Sequence, residues 1–291
     1  MTSKIQNFGG SHTGRKLDVV AKYLAAYVNV MKKNSFELHY VDGFAGSGAS
    51  TPVSGDNSLE SGLFDTREIV EGSPVRALNI DPPFDRYLFI DFDEANVASL
   101  QMVIDRHSNG HRASARSGDA NEQIAKFCNW LDQNKMVRAV VFLDPFGLAV
   151  RWETIARLAA TGKVDLWYLV PVHGMSRQIK DNGEFLASAD RIDDLWGSNA
   201  WRDLAVRKID LGTDLFGQID ERLEKIAKAK QFSEMFRDHL KEAFGGRVAE
   251  TYLPLGKGKL HEYSLMFACA NPSPAAFGIA LRIANHILRT A

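Results

Sequence analysis

The feature that most constrains the fold of this chain is a short apolar segment that ends in a cluster of glycines. From Phe36 to Ser50 the sequence reads FELHYVDGFAGSGAS, with Asp42 where the apolar part ends. The apolar part has the length and the flanking residues of a β-strand. The small residues after it can adopt positive φ and let a ligand lie against the backbone. Because a strand of an α/β sheet that ends in this way usually ends at a binding site, we expect a ligand-binding loop, with a structural tight turn as the alternative.

The succession of an apolar strand and an acid recurs along the chain. The further strands and their acids are 87–90 with Asp91, 111–117 with Asp119, and 137–143 with Asp144. Helical patterns separate these strands, which predicts a parallel α/β sheet. The carboxyl ends of parallel strands meet at one edge, so we expect the four acids to face one crevice. Acids are unfavourable in a crevice unless hydrogen-bond donors or positive charge surround them, which indicates a ligand that supplies both.

The remaining segments predict an insertion and a change of strand direction. A fifth strand over 164–170 is followed at 175–246 by charge-rich segments that we interpret as helical, IDERLEKIAKAK among them. Two strands on either side of the GKGK turn then predict an antiparallel hairpin, and an amphipathic helix closes the chain. We therefore predict an α/β core over 1–174 and 247–291 with a helical cap over 175–246.

Composition limits the classes of function. Hydrophobic residues make up 45% of the 291 positions, charged residues 24%, and the net charge is −1. This near-neutral balance removes a global electrostatic argument for nucleic-acid binding and leaves local basic patches. The two cysteines, Cys128 and Cys269, lack metal-ligand spacing, so we expect buried free thiols and no metal site. No apolar run has the length of a membrane span, and we expect a cytoplasmic location without membrane contact.

A lysine-rich helix precedes the first strand. The segment LDVVAKYLAAYVNVMKK has apolar residues at helical spacing, so one face is expected to pack on the sheet. Its lysines are interpreted as a solvated face rather than as ligand contacts. They are Lys16, Lys22, Lys32 and Lys33.

Taken together, these motifs resemble those of the three-Cys-motif partner (TcmP) family, which is methyltransferase-like. The matching segments span most of the chain and are KLDVVAKYL, YVDGFAGSG, GSPVRAL, FID, GDAN, FLDPFG, YLVPVHGMSR and HEYSLMFACANP. The resemblance implies the Rossmann-like sheet of class I methyltransferases that depend on S-adenosylmethionine (SAM), with parallel strands and a C-terminal antiparallel hairpin. It also implies a partner, a radical-SAM-like protein with three clustered cysteines.

The spacing D-x-F-x-G-x-G is typical of SAM-binding loops in nucleic-acid amino-methyltransferases and predicts a role for each residue of the crevice. The methionine end of SAM is assigned to Asp42, Phe44, Gly46 and Gly48. The ribose is assigned to Asp91 and the adenine to Asp119, for which capping of the next helix is the alternative. The polar segment 51–71 is expected to be an inserted loop beside this site.

The fourth motif, Asp144-Pro145-Phe146-Gly147, resembles the D-P-P-[YFW] motif of amino-methyltransferases, in which the carboxylate and a carbonyl accept two N–H bonds of a planar amine. Phe146 replaces the second proline and Gly147 the aromatic residue, so stacking on a base is displaced. Asp144, Pro145 and Phe146 are nevertheless the predicted catalytic residues.

Three hypotheses of function remain. The first is a SAM-dependent methyltransferase that acts on an amine of a nucleic acid or nucleotide. The second is a non-catalytic subunit of a radical-SAM-like three-Cys-motif protein. The third is another nucleotide-using enzyme built on the same sheet, because a fold does not define a function.

Overall fold

The computed structural model describes residues 11–50, 70–213 and 219–291. The strands are β1 (Glu37–Asp42), β2 (Ala49–Ser50), β3 (Val70–Glu71), β4 (Arg86–Asp91), β5 (Ala113–Ser117), β6 (Val137–Leu143), β7 (Val164–Val170), β8 (Val206–Thr213), β9 (Ile219–Lys225), β10 (Leu253–Leu255) and β11 (Tyr263–Cys269). The helices are α1 (Ser11–Met31), α2 (Ser73–Leu78), α3 (Glu94–Arg106), α4 (Ala120–Gln133), α5 (Trp152–Ala160), α6 (Val172–Ser176), α7 (Asp190–Trp196), α8 (Trp201–Ala205), α9 (Ala229–Ala243) and α10 (Pro274–Thr290). The predicted loop over 51–71 lies outside these ranges except for its last two residues.

Seven strands form the main sheet, in the order β10-β11-β7-β6-β1-β4-β5. The strands from β7 to β5 in this order are parallel to one another. The strand β11 runs antiparallel to β7, and β10 runs antiparallel to β11. The prediction of a Rossmann-like parallel sheet completed by a C-terminal antiparallel hairpin is therefore confirmed.

The central strands are buried on both faces, which explains their continuous apolar sequences. Consecutive residues of a strand point to opposite faces, and in β1 Tyr40 and Val41 are both fully buried. Tyr40 packs on the side that carries α1 and α10, and Val41 packs on the side that carries α4 and α5. Helices on both faces thus hold the carboxyl ends of the strands in place at one edge.

The structure contradicts the prediction that residues 175–246 are helical throughout. Within this segment β8 and β9 pair as an antiparallel hairpin, where a helix was expected over IDERLEKIAKAK. Apolar residues four positions apart, such as those at 219 and 223, fit the period of a helix and the period of a strand equally well. Pairing with β8 selects the strand, and the local pattern does not encode that pairing. The division into core and cap stays a prediction.

The cysteines agree with the sequence analysis. Cys128 and Cys269 are buried free thiols, and burial raises the pKa of Cys128 to about 12. Across the three described ranges, no group of three or more His, Cys, Asp or Glu side chains has a geometry suited to a metal ion. None of the helices in those ranges combines the length and apolar character needed to cross a membrane.

Candidate functional site

Three of the predicted acids meet at the carboxyl edge of the sheet. Asp42 is the last residue of β1, Asp91 is the last residue of β4, and Asp144 follows β6 directly. Asp42 lies in register with Phe142 of β6 on one side and with Phe89 of β4 on the other. The ends of three adjacent strands therefore place the three carboxylates side by side, as the sequence predicts.

The glycine-rich segment after β1 lies across the ends of its neighbours. The N–H of Gly43 donates to the carbonyl oxygen of Phe142 at 3.0 Å, and the N–H of Ala45 donates to that of Ile90 at 2.8 Å. Gly46 has a φ of 62°, and no atom of the described residues lies within 4 Å of the position that a Cβ would occupy there. A side chain at this position would be strained, although the described residues leave space for it. The backbone of Gly46 is half-buried, and the described residues leave it open on this side.

Two other predicted loop residues contribute to packing. Phe44 is partly buried against the core cluster on the α4 side of the sheet. Gly48 has a φ of 81°, and a Cβ added there would lie 2.9 Å from Cδ1 of Leu100 on α3. Gly48 thus permits the close approach of the loop to α3, which is a structural requirement separate from ligand binding.

Asp91 anchors the loop. Its Oδ2 accepts from the N–H of Gly46 at 2.8 Å. Its Oδ1 accepts from the N–H of Asp93 at 2.9 Å and from Nδ2 of Asn96 at 3.0 Å. Two carboxylate oxygens offer about four acceptor sites, and the described residues occupy three of them. The assignment of Asp91 to a ribose stays a prediction, and the described residues leave room for a single further hydrogen bond.

Asp42 is fully buried and has an unusual pKa. Burial raises the pKa of Asp42 to about 7, against hydrogen bonds from the Ser73 hydroxyl and from the N–H of Phe44, which lower it. The neighbouring Asp144 raises it further and Lys16 lowers it. The carboxyl group therefore changes its charge near neutral pH, at the base of the crevice.

Lys16 was expected on a solvated face, and that expectation is wrong. Its Nζ forms an ion pair with Oδ2 of Asp144, and the two side chains are only 14% and 21% exposed. Lys16 lies four residues before Val20 and seven before Tyr23, both buried, so helical spacing places it on the apolar stripe of α1. That spacing was the available signal, and it outweighs the usual exposure of lysine.

Asp119 caps α4, as the alternative interpretation stated. Its carboxylate accepts from the N–H of Glu122 at 3.1 Å and pairs with Nη2 of Arg151 at 3.2 Å. Burial raises the pKa of Asp119, but the hydrogen bond from Glu122 and the charge of Arg151 outweigh it and hold the pKa below its usual range. The side chain is 41% exposed, so the cap leaves it accessible to solvent.

Aromatic side chains lie at the same edge as the acids, and two of these aromatic residues, Phe92 and Tyr263, were missed in the sequence analysis. Phe92, directly after β4, is 80% exposed, and Phe146 is 56% exposed, whereas Pro145 is buried. Tyr263 is the first residue of β11, and its neighbour Ser264 is in register with Val170 at the carboxyl end of β7. Burial raises the pKa of Tyr263, and the charges of Glu262 and Asp144 raise it further. An aromatic residue next to a strand-end acid was the signal for Phe92. No local signal marked Tyr263.

Comparison with solved structures finds remote similarity. A Legionella pneumophila protein, LPL1258, is 12% identical with a TM-score of 0.41, covering 89% of this chain and 98% of that one. The CcbJ methyltransferase from Streptomyces caelestis is 12% identical with a TM-score of 0.40, covering 90% and 91%. An O-methyltransferase from Bacillus cereus in complex with SAH is 12% identical with a TM-score of 0.34, covering 76% and 93%. No family model matches the chain, and no curated protein matches it. The assignment of the fold rests on the strand order described above.

Proposed function

We propose that this protein binds SAM at the carboxyl edge of its sheet and transfers a methyl group to an amine of a nucleic acid or nucleotide. The observation that carries the proposal is the half-buried backbone of Gly46, which Asp91 holds where β1 meets β4 and which the described residues leave open on the side where a Cβ would lie. Chain order reverses at β1, because β4 lies on one side of it and β6 on the other. In open α/β sheets ligands bind in the crevice at such a switch point.

The residues around this crevice suit the parts of SAM. The exposed ring of Phe92 offers a flat apolar surface to an adenine, and Asp119 offers an accessible acceptor for its amine. The remaining acceptor site of Asp91 suits a ribose hydroxyl. Asp42 and the backbone around Gly46 suit the methionine end, and a cationic ligand would favour the ionised form of Asp42. When bound, SAM supplies an electrophilic methyl group.

The acceptor would meet the ion-paired carboxylate of Asp144. This carboxylate and the carbonyl oxygen of Pro145 are acceptors for the N–H bonds of a planar amine, and the exposed ring of Phe146 offers a stacking surface beside them. Asp144 is paired with Lys16, so an amine must share the carboxylate with that lysine. Holding the amine in line with the methyl group is then the main contribution of these residues to the rate.

The ion pair of Asp144 also favours a second candidate function. A carboxylate already neutralised by Lys16 is a weaker acceptor for an incoming amine than an unpaired one. This observation supports the hypothesis that the chain is a non-catalytic, SAM-binding subunit. Its partner would be a radical-SAM-like three-Cys-motif protein, which the resemblance to the TcmP family implies. The two functions share the cofactor site and differ in whether the methyl group is transferred.

Substitution of Asp91 is expected to abolish SAM binding. The Asp91→Ala variant loses the loop anchor and the ribose acceptor together, so affinity measured by calorimetry should fall by about 100-fold or more. Asp105→Ala is the matched control, because Asp105 is an exposed acid on the neighbouring α3. Equal SAM affinity of the two variants, or no SAM binding by the wild type, would exclude this cofactor site.

Substitution of Asp144 separates the two candidate functions. Transfer of radiolabelled methyl groups to total nucleic acid should fall by about 100-fold in Asp144→Ala, while SAM binding is retained. Asp203→Ala, an exposed acid on α8, serves as the control. If the wild type transfers no label, with or without the three-Cys-motif partner, the enzyme hypothesis is wrong and the subunit hypothesis remains.

A further inference from the structure

A cavity lies at the amino edge of the sheet, opposite the candidate SAM site. It has a volume of about 280 Å³ and is lined by residues of α1, α10 and the amino ends of β6 and β7. Pockets for drug-sized ligands have volumes of roughly 300–1,000 Å³, so this cavity suits a smaller molecule. Its place in the fold makes it independent of the proposed function.

A buried carboxylate lines this cavity. Asp165 is 7% exposed, and its Oδ2 accepts from the hydroxyl of Tyr23 at 2.6 Å. Burial raises the pKa of Asp165 to about 6, and among the described residues the hydroxyl of Tyr23 and the thiol of Cys269 are the donors that lower it. Among the described residues no cation forms an ion pair with this carboxylate. A carboxylate that accepts from one hydroxyl and one weak thiol donor still has acceptor sites to fill.

A cation lines the same cavity. In the register of the sheet Val140 of β6 is opposite Asp165, so Arg138 lies diagonally from Asp165 on the same face. The backbones of such diagonal neighbours are about 7–8 Å apart. The guanidinium of Arg138 lies 4.0 Å from the ring centroid of Phe36.

Arg138 also has donors left for a ligand. Its Nη1 donates to the carbonyl oxygens of Lys135 at 2.9 Å and Val137 at 2.8 Å. Its Nε has no hydrogen-bond partner among the residues that the structure describes. The guanidinium is thus held in position by one nitrogen, and the lining of the cavity contains both a cation and an anion.

The two helices contribute mostly apolar walls, and the rest of the lining includes the polar residues Asn34, Lys163, Asn271 and Ser273. Tyr27 and Met31 of α1 line one side, and Ala276 and Ile279 of α10 line the other. The small side chain of Ala276 leaves the space between the two helices open. A ligand that fits these walls therefore carries an aliphatic or aromatic group of moderate size.

We propose that this cavity binds a small apolar α-amino acid, with its ammonium group on Asp165, its carboxylate on Arg138, and its side chain between α1 and α10. The zwitterion satisfies the charges of Asp165 and Arg138. The third charged residue of the lining, Lys163, donates from its Nζ to the carbonyl oxygens of Leu131 and Asn134. An amine without a carboxylate would leave Arg138 without an acceptor, and a carboxylic acid without an amine would leave Asp165 without a donor.

The test uses the full chain and three probes in ligand-observed NMR titrations. The probes are L-phenylalanine, 3-phenylpropionate, which lacks the amine, and 2-phenylethylamine, which lacks the carboxylate. L-phenylalanine should bind about tenfold more tightly than either analogue, because each charged hydrogen bond contributes to its affinity. Equal affinities for the three probes, or no binding of L-phenylalanine at about 10 mM, would overturn the proposal.

Variants locate the binding in the cavity. Ala276→Leu adds volume to the lining without replacing either charged residue and should abolish binding, whereas Arg282→Leu, an exposed change on the same helix, should leave binding unaltered. Asp165→Asn should lower the affinity for L-phenylalanine by about tenfold or more and leave the affinity for 3-phenylpropionate unchanged. Circular dichroism verifies folding of each variant. Unchanged binding in a folded Ala276→Leu variant would also overturn the proposal.

Discussion

The Asp42→Asn variant is expected to lose the part of the pH dependence of stability that Asp42 contributes between about pH 4 and pH 7. Burial raises the pKa of Asp42 in the folded protein from 3.8 to about 7. Between these values Asp42 binds a proton in the folded state but not in the unfolded state, so its contribution to stability falls as pH rises and levels off above pH 7. At about 1.36 kcal/mol per pKa unit, the fall is on the order of 4 kcal/mol.

Urea denaturation followed by circular dichroism at several pH values measures this effect as the stability difference between variant and wild type. Asparagine keeps an acceptor for the Ser73 hydroxyl and for the N–H of Phe44 but cannot ionise. The free energy of unfolding of the variant, relative to that of the wild type, should therefore increase as pH rises. Asp105→Asn, an exposed change, should follow the wild type at every pH. A constant difference between Asp42→Asn and the wild type would show that Asp42 does not titrate in this range.

Replacement of Lys16 by methionine is expected to destabilise the protein by about 3 kcal/mol, the lower end of what breaking a buried ion pair costs. The change leaves Asp144 without its partner next to Asp42, and both carboxylates are well shielded from solvent. It also removes the positive charge that lowers the pKa of Asp42. The fall in stability with pH should therefore extend above pH 7 in this variant.

The double variant Lys16→Met/Asp144→Asn supplies the internal test. With both charges removed, no unpaired carboxylate remains at position 144, so most of the loss should be recovered. Lys22→Met is the control, because Lys22 lies on the exposed side of the same helix. Equal losses of stability in Lys16→Met and Lys22→Met would mean that the ion pair contributes little to the stability of the protein. No recovery in the double variant would assign the loss to packing of the lysine stem.

Much of the candidate site could be predicted because its signals are local. Asp42, Asp91 and Asp144 stand at the ends of apolar strands, and the topology of a parallel sheet brings such ends to one edge. The hydrogen bonds that the Asp91 carboxylate accepts from Gly46 and Asn96 could not be predicted. They depend on how the loop after β1 lies across β4, and the sequence of neither segment encodes that path.

The alternation of apolar strands and amphipathic helices was sufficient to predict the class of the fold, the hairpin at its end and the edge where the acids lie. The reason is that periodicity along the chain dictates which face of an element is buried. The partners of the charged groups were determined by packing. Lys16 and Asp144 are 128 residues apart, and Tyr23 and Asp165 are 142 residues apart. Whether a lysine or an aspartate lies in solvent or in a shielded pair depends on which distant element covers it, and that is a property of the folded chain alone.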